Sequence, residues 1–92
     1  MAVTAHRKDA TAAWVHRWAA AAARHATVAE AEDTEYLVAT VEGCTGAWAY
    51  GTTAADAVAS LESVLIGWAD LKLADGDVDI PVMGGIDLVR GR

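Results

Sequence analysis

The residues that could do chemistry are few and scattered. Four carboxylates, Asp33, Glu35, Glu42 and Asp56, lie in the central part of the chain. Such groups hydrolyse phosphodiesters when several of them converge on metal ions. Here Asp33 and Glu35 fall at an expected turn, Asp56 sits where a helix cap belongs, and no spacing sets them on neighbouring strands. His6, His16 and His25 share neither the i, i+4 spacing of a helical metal pair nor the Cys/His spacing of a zinc site. They are expected at the surface, with no metal and no cofactor. Cys44, the lone cysteine, lacks a local His or Asp signature of an activated thiol, and reads as a small buried apolar group. A single cysteine forms no internal disulfide, which fits a reducing, cytoplasmic setting. The expectation is a protein that is not an enzyme.

Aromatic side chains carry more information. Phenylalanine is absent, and four tryptophans supply much of the bulk among many alanines. Each is expected to anchor a contact. Trp48 and Tyr50 are two apart in "GAWAYG", so on a strand they share one face while Ala47 and Ala49 take the other. Two placements are open: under the first helix as core, or on an interface with a partner or a second copy. Trp48, Tyr50, Glu42 and Tyr36 are the candidate interface residues.

The elements that must position these residues follow from periodicity. Residues 9–23 read as a helix capped by Asp9, with Trp14 and Trp18 on one face beside Val15 and Ala22. Residues 25–31 are balanced between strand and helix. The turn "EDT" and the strand "EYLVATV" that follow favour a hairpin. "GAWAYG" adds a short third strand framed by glycines. Thr53 then caps a long second helix, and Asp56 stands at the capping-box position. Ala57, Leu61, Leu65 with Val64, Trp68 and Leu71 form its apolar stripe. Gly67 weakens that helix, Gly76 ends it, and "GGIDLV" offers a last strand at Ile86–Val89. The order α-β-β-β-α-β predicts one α+β domain over residues 1–92, with an antiparallel sheet and a helix across one face.

Charge and hydropathy narrow the partners. Residues 1–25 carry Arg7, Lys8, Arg17 and Arg24 against Asp9, net +3. The remainder carries twelve acids against Lys72, Arg90 and Arg92, net −9. Such a body repels phosphate backbones and suits a basic partner or simple solubility. No apolar run is long enough to span a membrane. His16 and Arg17 interrupt the alanine-rich start, so it reads as part of the mature fold and not as a secretory leader. A chain of 92 residues buries modest surface, and association would cover more.

In "GCTGAWAYGTTAADAV" and its flanks an ordered set of residues resembles the HicB-like antitoxin family. A strand pair ends at Val41 and Gly46 stands at the family's turn glycine. Gly51 and Thr53 match "G-x-T", and Asp56–Ala57–Val58 match "E-A-L". Leu61, Leu65 and Trp68 match the helix pattern, and Ile80–Pro81 the "I-P" after it. The resemblance spans residues 25–90, in the manner of short members with an extra N-terminal helix, here 9–23. Glu42–Gly43–Cys44–Thr45 replaces the family's two turn prolines. The resemblance implies a truncated ribonuclease-H-like fold and inhibition of a HicA-like messenger-RNA endonuclease, a small basic toxin. A homo-oligomer, dimer or tetramer, is expected from the small core and the aromatic sheet face. After the last strand there is no room for the family's DNA-binding module, so direct DNA binding is not expected. The alternative expectation is a stand-alone homo-oligomeric interaction or ligand-binding domain without a toxin.

Overall fold

The computed structural model describes residues 2–91, with side chains from residue 12 onward. Helix α1 spans Ala2–Ala23, strands β1, β2 and β3 span Thr27–Glu30, Leu37–Thr40 and Trp48–Gly51, and helix α2 spans Ala54–Ala74. The strands form an antiparallel meander in the order β1-β2-β3. The α+β fold and its α-β-β-β-α order are those expected from the sequence.

The ambiguous segment at 25–31 is a strand. Thr27 pairs with Thr40 and Glu30 with Leu37, which places Val28 opposite Ala39. The hairpin turn is closed by local bonds. Thr34 donates its backbone N–H and its hydroxyl to the Ala31 carbonyl, and the Tyr36 N–H donates to the Thr34 hydroxyl oxygen. Asp33 takes a positive φ of 62° here, a conformation that Asp tolerates better than most residues.

Helix α2 lies across one face of the sheet, and α1 packs on α2. Ala57, Leu61, Leu65 and Ala69 form a single i, i+4 row on α2, all buried. They meet Ala39, Val41, Ala47 and Ala49 from the sheet side. Small residues on the strands let the helix approach closely. The approach is tight at Gly51, where an added Cβ would lie 2.3 Å from the Ala57 nitrogen. A backbone atom cannot yield as a flexible side chain can, so β3 must end in glycine before the helix begins.

Both ends of α2 are built by local bonds. The Thr53 hydroxyl accepts from the Asp56 N–H at 3.1 Å. At the other end Gly76 (φ 75°) donates to Leu73 O and Asp77 to Lys72 O, the paired bonds of a Schellman cap.

Four expectations are corrected. Helix α1 starts at Ala2, so Asp9 lies inside it and not at its N-terminal end. No glycine or proline stands in residues 2–8 to stop the helix from extending backward. The Asp56 carboxylate does not complete a capping box; it accepts from the Thr52 hydroxyl at 3.4 Å, being one methylene shorter than the usual Glu. Leu71 is 65% exposed and outside the stripe, where Ala69 stands instead. The i, i+4 row runs through 57, 61, 65 and 69, and a row through 71 faces elsewhere.

Finally, Ile86–Val89 joins no strand of the sheet. Ile86 exchanges both backbone bonds with Met83 around Gly84 and Gly85, whose φ angles are 57° and 76°. This tight turn consumes the hydrogen-bonding capacity that a sheet strand would need. Turns follow it, and Leu88 and Ile80 bury themselves in the core.

Candidate functional site

With both helices stacked on one side, the opposite face of the sheet carries no element of the chain's own among the described residues. Register decides what that face presents. Val38 is opposite Tyr50 and Thr40 is opposite Trp48, while the buried Ala39 and Ala49 pair between them. Period-2 alternation therefore puts Tyr36, Val38, Thr40, Trp48 and Tyr50 together on the open face. Tyr36, Trp48 and Tyr50 are 52%, 52% and 55% exposed. The question left open for Trp48 and Tyr50 is answered: α1 covers α2, and the rings face solvent.

Around Tyr36 and Tyr50 the face sinks into an open depression of about 500 Å³. Glu30, Ala31, Glu32, Thr34 and Val38 complete its lining. The β1–β2 turn thus brings Glu32 to the same spot as two tyrosines, while Glu30, paired with Leu37, alternates to the other face of the sheet and borders the depression from the strand edge. Neither Glu30 nor Glu32 has an ion-pair partner among the described residues, where the pairs formed are Lys72–Asp77 at 3.9 Å and Arg90–Asp87 at 3.8 Å.

Glu42 is not part of this cluster. It follows the far end of β2 and borders a separate depression of about 440 Å³ with His25, Thr27, Val41, Val82 and Met83. The lining residues missed from sequence include Glu32 and Val38. Val38 was legible, being two residues from Tyr36 on the same strand. Glu32 needed the path of the β1–β2 turn.

The carboxylates weighed as a nuclease centre stay apart: Asp33 and Glu35 are exposed at the hairpin, and Asp56 faces Thr52 at the start of α2. Among the described residues, no three His, Cys, Asp or Glu side chains gather where they could hold a metal ion. His16 and His25 are exposed, and His6 lies outside the residues whose side chains are described. Cys44 is 2% exposed. Burial pushes its thiol above the ordinary range, and the positive charge of Lys72 only partly opposes this. The sulfur is therefore held as a neutral thiol within the core.

The loop that carries Cys44 is tied to α2 and the tail through tryptophan. Trp68 Nε1 donates to Thr45 O at 3.0 Å, and Trp18 Nε1 donates to Pro81 O at 2.7 Å. Gly43 (φ 90°) lies against Pro81, where a Cβ would meet the ring at 3.3 Å.

A meander with both helices on one face and an aromatic surface on the other defines a small α+β protein. The chain belongs to the UPF0150-like family, whose model matches residues 17–81. No curated protein and no solved structure matches it. Among the described residues, no helix is long and apolar enough to cross a membrane.

Proposed function

We propose that this chain is a non-enzymatic, HicB-like antitoxin that holds a small basic endonuclease of the HicA kind against its open sheet face. The observation that carries the reading is the exposure of Tyr36, Trp48 and Tyr50 together, beside Glu32, which forms no ion pair among the described residues. Half-exposed aromatic rings clustered on one face are costly to leave in water and are the residue types that anchor protein interfaces. UPF0150-like chains are related to HicB-like, antitoxin-type small proteins, which agrees with the residue pattern from Gly46 to Pro81. The −9 balance of residues 26–92 steers a basic partner toward the surface and speeds encounter at low salt. The work is done inside the cytoplasm, on a protein partner, without cofactor and without DNA contact.

The test is inhibition. A small basic ribonuclease co-purified with this chain should lose its RNA cleavage when the chain is added at equal concentration. Full cleavage at excess chain would sink the reading.

A second reading is a homo-oligomer without a toxin, and the same three exposed rings favour it. Acidic rims oppose each other if two open faces meet directly, so this reading needs an offset arrangement. Light scattering decides: a stable monomer at micromolar concentration removes it.

A further inference from the structure

Resting on the partner-binding reading, we infer that the depression between Tyr36 and Tyr50 is a seat for one guanidinium group, an arginine side chain offered by the basic partner. Its walls are two phenol rings on one sheet face, brought together because Val38 pairs with Tyr50 and Tyr36 lies two residues before Val38. Val38 and Ala31 give it apolar lining, and Glu32 in the turn gives it negative charge, with Glu30 at the strand edge beside it.

Each part suits the same group. A guanidinium is planar, stacks on aromatic faces, and is more weakly hydrated than an ammonium, so it leaves water at lower cost than lysine does. Its fork of N–H donors matches a carboxylate in two parallel bonds. No basic side chain is among the residues that line the depression, and among the described residues neither glutamate forms an ion pair. Both tyrosines are more than half exposed, so the seat is open before the partner arrives. A neutral apolar side chain would leave Glu32 desolvated without compensation. An acidic one would be repelled.

The inference also accounts for the division of the face. Trp48 lies one row away, opposite Thr40, and is free to pack on an apolar part of the same partner. The tyrosine end reads a cation, and the tryptophan end supplies area.

The experiment uses the free protein and small probes. Blocked arginine amide is titrated at low salt while the tyrosine ring and backbone signals are followed by NMR. Blocked citrulline amide, the neutral isostere, is the control. Arginine should give saturable shifts at Tyr36, Tyr50 and Glu32, and citrulline should give none there. Tyr50→Ala and Glu32→Gln should each weaken arginine binding by about three- to fivefold, the size of an exposed cation–π or ionic contact. Both positions are exposed, so thermal melting of the variants should match the parent. Equal shifts with citrulline, or arginine shifts unaffected by both substitutions, overturn the assignment. So does concentration-dependent shifting of these signals without any probe, which would give the seat to a second copy of the chain. If the chain inhibits the ribonuclease but fails this titration, only the seat is lost. If it takes arginine but never inhibits, only the antitoxin reading is lost.

Discussion

The indole rings of Trp18 and Trp68 stack with centroids 5.9 Å apart and planes 7° from parallel, and each ring's N–H holds a different loop. Trp18 joins α1 to the tail at Pro81, and Trp68 joins α2 to the 43–46 turn. One contact between the two helices thus fixes the two irregular segments that have no sheet to hold them. Lys72 sits 5.2 Å above the Trp68 ring, on its way to Asp77. Trp18→Phe should destabilise by about 1–3 kcal/mol, because the Pro81 carbonyl loses its donor in a partly buried place. Trp68→Phe should cost about 1 kcal/mol or less, since its bond to Thr45 is exposed. Urea unfolding of both variants and of the double variant checks this. A coupling energy of about 0.5–1.5 kcal/mol is expected for the stack.

Two glycines of similar appearance in the sequence should respond with opposite signs. Gly51→Ala forces a Cβ into the Ala57 backbone and should cost upwards of about 2 kcal/mol, in the range of overpacking. Gly67→Ala meets nothing within 4 Å on an exposed turn of α2 and should stabilise by up to about 1 kcal/mol. Thermal melts of the two variants against the parent decide between them.

Those glycines also mark what the sequence could and could not disclose. The strand–turn–helix from Trp48 to Ala74 was legible because its signals are local: glycines framing a strand, a threonine cap, and an i, i+4 row. The start of α1 was not, because an internal Asp looks like a cap when helix continues before it. The fate of Ile86–Val89 was not either. Four apolar-rich residues suit a strand, but Gly84–Gly85 turns Ile86 back onto Met83. The open face was half legible. Alternation put Trp48 and Tyr50 together, but only the packing of α1 on α2 shows which face is covered. Glu32 joins the tyrosines through the path of the β1–β2 turn, which composition does not encode.

Cys44 yields a pH signature. Its folded thiol titrates above the ordinary value of 9.0, chiefly through burial, so below that value folded and unfolded chains both hold the proton and no stability is lost. Above it the unfolded chain ionises first, and the folded state loses stability as pH rises toward the folded value. The fall in urea midpoint above about pH 9 should be shallower in Cys44→Ala than in the parent. At pH 8 the thiol should react with a disulfide reagent only slowly, and rapidly once urea unfolds the chain.

The exposed rings should separate binding from folding. Trp48→Ser and Tyr50→Ser are expected to change stability by no more than about 0.5 kcal/mol, as for surface positions. If the face is an interface, each should weaken partner binding by about 1–2 kcal/mol or more, as buried aromatic anchors do. Calorimetry of unfolding and of binding on the same preparations tests both halves.

The most direct measurement of the central claim is a ribonuclease assay on the small basic endonuclease, run with the parent chain and with a Trp48→Lys, Tyr50→Lys double variant. The parent should abolish cleavage at equal concentration. The double variant, folded by its melting profile, should leave cleavage nearly intact, because two cations now face a basic partner where two rings did. Equal inhibition by both chains would show that the open sheet face is not where the partner binds, and would contradict the account.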